Sequence, residues 1–176
     1  MLSPCISANF PYTKRQILCP NRTMHQLSQA EALARQQQAL LAAADDAATR
    51  QALTVILPVL ATVATELQHT RYFLVANPQG EWRLTRLAPP DMPDLEKVVV
   101  LAYADRHQAE LVCQQGPRGD RVTELAVLDL LFRLLAPLAF DSLVLMERDR
   151  SQEIQRQEVQ DLCTRQIERW RTTYLA

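Results

Sequence analysis

Residues 71–103, RYFLVANPQGEWRLTRLAPPDMPDLEKVVVLAY, decide the fold class. Before Arg71 the apolar residues recur at helical spacing, and from Arg71 the period becomes extended. Tyr72, Phe73, Leu74 and Val75 form a β-favouring run. Asn77-Pro78-Gln79-Gly80 is turn chemistry, and Trp82, Leu84 and Leu87 mark a second extended segment around Arg83, Thr85 and Arg86. The pattern predicts a β-hairpin. The connection Ala88–Glu96 contains Pro89, Pro90 and Pro93, which lack the N–H that a central ladder requires. It delivers the chain to Val98–Tyr103, a run apolar on both faces and therefore read as an interior strand.

Towards the C-terminus, Asp105 with Gln108 three residues on reads as the start of a helix that continues through Ala109, Leu111, Val112 and Cys113 and stops at Gly116-Pro117. A further helix is expected from near Thr123, with Glu124 at the positive end of its dipole and Leu125, Leu128, Leu131, Phe132 and Leu135 before Pro137. Asp141–Glu147 holds Leu143, Val144 and Leu145, a short buried strand. The last element is read as one long amphipathic helix from about Asp149 to Tyr174, its stripe formed by Ile154, Val159, Leu162, Cys163, Ile167, Trp170 and Tyr174.

Towards the N-terminus, residues from about Ser28 to Ala44 read as a helix, with an S-x-x-E capping box at Ser28 and Glu31. Asp45 and Asp46 break it and offer a new N-cap. A second helix then runs to about Gln68, with Leu53, Ile56, Leu57, Leu60, Val63, Ala64 and Leu67 at helical spacing. Pro58 removes an interior hydrogen bond and predicts a kink or split there. The apolar run Ala52–Ala64 is about thirteen residues, against the roughly 20 needed to span a bilayer, and is read as a buried core helix.

The sum is an α+β fold. It comprises an N-terminal helical hairpin, a small mixed sheet of about four strands, and a long C-terminal amphipathic helix; three strands form a meander and the fourth follows a two-helix crossover, parallel to the third or a neighbour. Over roughly Arg71 to Met146, the succession of strands ending in an apolar run, then Ala-Asp-x-x-x-Ala at residues 104–109, then helix and short strand, is similar in pattern to the SseB N-terminal domain family. That resemblance implies a non-enzymatic accessory role.

Composition narrows the functional classes. The chain has 176 residues, is 48% hydrophobic and 22% charged, and carries a formal charge of −1, which fits one globular domain without a strong field for nucleic acid. Its three glycines, Gly80, Gly116 and Gly119, cannot build a glycine-rich phosphate cradle, so P-loop and dinucleotide-binding enzymes are not expected. The basic residues are nearly all arginine, and glutamine is frequent, as in Gln36, Gln37 and Gln38. Residues 1–23 hold Lys14, Arg15 and Arg22 but no acid, and Pro4, Pro11 and Pro20 interrupt them. They read as a leader or tail, with Met24 a possible true start and residues 24–176 a single domain. The leader lacks the apolar core of a secretory signal, so a cytoplasmic protein with reduced cysteines is expected, Cys5 and Cys19 lying in the leader.

Candidate chemistry is sparse. Cys5, Cys19, Cys113 and Cys163 form no C-x-x-C pair, and His25, His69 and His107 fall at no metal-binding spacing, so neither metal nor cofactor is expected. His107 and Cys113 share a helix, but six residues turn through about 600°, leaving them about 120° apart, a poor base–nucleophile pair. Asp91, Asp94 and Glu96 form an acidic loop. Arg118 and Arg121 in Gly116–Arg121 could hold an anion with the free N–H groups of a following helix N-terminus. The Arg-Gly-Asp tripeptide inside that turn is a chance-level motif in a chain without an export signal. Arg83 and Arg86 with Trp82 and Tyr72 could stack on nucleic acid, although the net charge argues against it.

The expectation is a non-catalytic accessory or adaptor protein working through contacts with another protein or a second copy of itself. Ile154, Leu162, Ile167 and Trp170 are the candidate partner-binding residues. The alternative is a small-ligand or anion-binding domain, or an enzyme, using the acidic loop Asp91–Glu96 and the Arg118–Arg121 turn.

Overall fold

The computed structural model describes residues 21–88, 96–136, 139–148 and 150–174. Eleven elements follow in order: α1 (Asn21–Ala42), α2 (Ala47–Thr65), β1 (Arg71–Ala76), β2 (Leu84–Leu87), β3 (Lys97–Tyr103), α3 (Arg106–Gln114), β4 (Arg121–Ala126), α4 (Val127–Arg133), β5 (Ser142–Met146), β6 (Ser151–Gln155) and α5 (Arg156–Tyr174). The fold is α+β, with a helix pair at the N-terminus, a mixed sheet and a C-terminal helix. Residues 1–20, most of the expected leader, lie outside the described residues, and Met24 falls inside α1.

The sheet has six strands in the order β4-β1-β3-β5-β6, with β2 also pairing β3. β3 is interior, as its two-faced apolar sequence requires, and β5 lies parallel to it, Val99 facing Ser142 and Tyr103 facing Met146. The crossover between them carries α3, β4 and α4. The hairpin expectation needs correction. Asn77–Gly80 does turn, and Ala76 bridges Trp82, but β1 and β2 both run antiparallel to β3 and therefore run the same way as each other. The upper end of β3 takes β1 and its lower end takes β2; no three-strand meander forms.

Two strands replace expected helix. β4 occupies residues read as the start of a helix, because Val122 and Thr123 are β-branched and six residues pair along the outer edge of β1, with Arg71 bonded to Glu124 across the pair at 2.6 Å. The helix proper, α4, begins only at Val127. Likewise β6 takes Ser151–Gln155 from the expected long helix and pairs them with the edge of β5, so α5 starts at Arg156.

The core lies between one face of the sheet and α1, α2, α4 and α5. Tyr72, Leu74, Val100, Ala102, Leu143 and Leu145 from the strands meet Leu57, Leu60, Leu128 and Leu131 from the helices. Val75, Val99 and Tyr103, which alternate with these, are buried outside that cluster, and α3 packs over β1, β3 and β4 on this opposite face through Ala109.

Caps read locally fare well where the partner is local. Asp46 caps α2, its Oδ1 accepting from the Thr49 N–H at 2.7 Å and its Oδ2 from the Thr49 hydroxyl at 2.6 Å. These bonds hold its carboxyl below its ordinary value. Asp105 caps α3 by accepting from the His107 N–H at 2.8 Å. The Ser28–Glu31 box does not mark a helix start, since Ser28 lies within α1. Pro58 does not split α2, which is continuous over 19 residues. Thr54 and Pro58 sit on its exposed side, where the carbonyl freed by the missing N–H can be hydrated. By length and composition α2 could cross a membrane; here Leu53, Ile56, Leu57, Leu60 and Ala64 line the core.

Glutamines of α1 complete the joints. The Gln36 Oε1 accepts from the Leu128 N–H at 3.1 Å and its Nε2 donates to the Thr70 carbonyl at 2.8 Å. Ala126, the N-cap of α4, has no side-chain cap bond, so Gln36 does that work from another helix. Gln29 donates to the carbonyls of Ala64 and Leu67 at the end of α2.

Candidate functional site

The turn after β1 is built from its own polar groups. The Asn77 N–H donates to the Glu81 carbonyl, the Asn77 Oδ1 accepts from the Glu81 N–H, and the Asn77 Nδ2 donates to the Glu81 carboxylate, each at 2.9 Å. Gly80 has a φ of 87°, a region costly for any residue with a Cβ. This fixed turn aims Trp82 at Phe140, with ring centroids 6.0 Å apart and planes at 42°. Phe140 is anchored because Asp141 exchanges bonds with Val98 at the start of β3, at 2.8 and 2.9 Å. The Arg133 guanidinium stands 5.7 Å from the Trp82 ring centroid and is held by Asp129 one turn back on α4 at 3.3 Å.

These groups enclose a cleft of about 550 Å³, lined by Gly80, Glu81, Trp82, Leu84, Arg133, Ala136, Ala139 and Phe140. Its size and its aromatic walls with few polar groups are those of a binding cleft. Along its rim runs β2. No described strand pairs with the outer edge of β2, and Leu84 and Leu87 on that short strand are each 45% exposed. In the sequence Leu84 and Leu87 were visible only as strand markers, and Trp82 as a strand marker and a candidate stacking group. The meeting of Trp82 and Leu84 with Phe140 and Arg133 around one cleft, more than forty residues on, has no local signature.

The other candidates are dispersed. Arg118 and Arg121 line an open cleft of about 420 Å³ at the end of α3, with Arg106, Glu110 and Cys113. The element after them is β4, so the helix N-terminus that was to supply N–H groups is not there. Arg83 lies under that loop: its guanidinium donates to the Val112 carbonyl at 3.3 Å, and its NH1 is 2.4 Å from where a Cβ on Gly116 would stand. A Cβ on Gly116 would push the Arg83 guanidinium aside. The nucleic-acid platform is not assembled, because Arg83 is so engaged, Arg86 pairs with Glu96 at 2.7 Å, and Tyr72 is fully buried. Of the acidic loop, Asp91 and Asp94 lie outside the described residues.

The C-terminal stripe is also corrected. Ile154 is in β6 and buried in the core, not on the helix. On α5, Val159 and Cys163 are buried, Ile167 packs against the core, Trp170 is half-buried and Leu162 is exposed, so the four named residues do not share one open face. Burial alone pushes the Cys163 thiol up to about 11.

A buried polar cluster passed unnoticed in the sequence. The Tyr72 hydroxyl donates to the Glu147 carboxylate at 3.2 Å, and Arg150 donates to its other oxygen at 2.9 Å. The Glu147 side chain is 1% exposed. Burial first, then the Glu147 charge, raises the Tyr72 phenol well above its ordinary value. The His69 ring meets Tyr72 edge-on at 6.0 Å. The cluster ties the β5–β6 turn to the start of β1.

No family model, curated protein or solved structure matches the chain, so the likeness to the SseB N-terminal domain family rests on pattern alone.

Proposed function

We propose that the protein is a non-catalytic adaptor that takes an extended segment of a partner protein along the free edge of β2, with one apolar side chain of that segment in the Trp82–Phe140 cleft. The observation that carries this reading is the coincidence of two exposed leucines on one short strand, an unpaired outer edge among the described residues, and an aromatic cleft beside it. Exposed N–H and C=O groups on a strand edge are a template for another strand, and pockets beside that edge select side chains. Leu84 and Leu87 are three residues apart and so point to opposite faces, and a strand added beside them covers both.

The test uses a displayed library of random seven-residue peptides. The intact protein is expected to retain a set of apolar-containing peptides that the Leu84→Asp variant does not. Leu84 is already half exposed, so circular dichroism and the melting curve of that variant should match wild type. A retained set unchanged by Leu84→Asp, or no retained set, refutes the reading.

A further inference from the structure

We infer that the segment bound along β2 is acidic as well as apolar, a carboxylate beside its apolar residue meeting the Arg121 guanidinium. This rests on the strand-edge reading above. Arg121 opens β4, opposite Ala76, and its side chain reaches back over the Asn77–Gly80 turn. Its NH2 is 3.8 Å from where a Cβ on Gly80 would stand, and Gly80 belongs to the cleft wall. Arg121 lines the neighbouring cleft with Arg118, and its guanidinium stands beside Gly80 in the wall of this one.

Two acids around the cleft have partners of their own. The Glu81 carboxylate takes the Asn77 amide, and Asp129 is paired with Arg133. Asp120, next to Arg121 in the chain, is in no ion pair among the described residues; its Oδ2 lies 3.2 Å from where a Cβ on Gly116 would stand. Arg121 and its neighbour Arg118 are in no ion pair among the described residues. An entering carboxylate thus finds a fork of N–H donors that is in no ion pair, whereas a lysine or arginine at that place is repelled. Charge at the rim of an interface acts on partner choice and on-rate, and is screened by salt. The two features read separately in the sequence, an apolar strand and an arginine turn, here serve one ligand.

The peptide selection is repeated on wild type, Arg121→Gln and Arg121→Glu. Wild type is expected to retain peptides in which Asp or Glu adjoins an aromatic or aliphatic residue. The best of these should weaken about fivefold or more in Arg121→Glu, less in Arg121→Gln, and weaken on raising salt. Arg121→Glu should shift the retained set towards Lys and Arg. Peptides that are lost in Leu84→Asp yet show no acidic bias, or are indifferent to both Arg121 variants, overturn this inference and leave the strand-edge reading standing. A set indifferent to Leu84→Asp overturns both. Self-association lost in Leu84→Asp, measured by sedimentation, assigns the edge to a second copy and likewise overturns the acidic partner.

Discussion

Removing the Gln36 amide should cost far more than its half-exposed place on a polar helix suggests. Gln36→Ala deprives the Leu128 N–H, near the start of α4, of its acceptor, and the Thr70 carbonyl of one of two donors, since Val127 still donates to Thr70 at 3.0 Å. Losing an N-cap partner costs about 1 kcal/mol. The second bond adds about 0.5–1.5 kcal/mol, because the carbonyl is left partly satisfied and not orphaned. The sum is about 1.5–2.5 kcal/mol, or a melting temperature lower by roughly 3–10 °C for a domain of this size. Urea unfolding followed by circular dichroism measures it, with Gln38→Ala, on the exposed side of α1, as the control expected within about 0.5 kcal/mol of wild type. Gln36→Glu keeps an acceptor for the helix N-terminus but loses the donor to Thr70, so it should recover about half of the loss. If Gln36→Ala and Gln38→Ala unfold at the same urea concentration, the joint between α1 and α4 does not hold as argued.

Tyr72→Phe removes the hydroxyl from the buried Glu147 carboxylate and should cost about 1.5–3 kcal/mol in the same titration, a charged acceptor being involved; a loss below about 0.5 kcal/mol refutes it. Cys113, half-buried, should be alkylated in the native protein well before Cys163, whose thiol burial pushes up to about 11, and equal rates by peptide mapping would contradict that placement. The Asp46 carboxyl titrates below its ordinary value when folded, so its capping contribution is present above the ordinary carboxylate range and is lost as pH falls through the depressed value. The stability difference between wild type and Asp46→Ala should therefore shrink on acidification, while that between Asp46→Asn and Asp46→Ala stays flat; the reverse pattern would contradict the cap.

Elements whose evidence is local could be read before folding. Asp46 and Asp105 cap helices because the bonds they make are to residues two or three positions on. Val98–Tyr103 is an interior strand because only a strand covered on both faces needs that composition. The failures have one cause. Thr123 and Glu124 are acceptable as the first turn of a helix, and Ser151–Gln155 as a polar one, until an unpaired strand edge is offered to each by β1 and β5. Asn77–Gly80 turns as its residues demand, yet the partner of β2 is chosen by β3, since Leu84–Leu87 find a complete ladder there.

The candidate site divides in the same way. Turn, tryptophan and exposed leucines are written into residues 77–87, and the arginines into residues 118–121. The sequence by itself determined most of the helical and extended segments, those of β4 and β6 excepted, and the caps at Asp46 and Asp105, because those depend on neighbours along the chain. Only tertiary structure decided that Trp82 meets Phe140 and Arg133, that Arg121 reaches Gly80, that Gln36 caps a helix 92 residues away, and that no described strand pairs with the outer edge of β2. Those facts follow from which strand edges and helix ends find each other when the apolar face is buried, a choice that no window of local sequence contains.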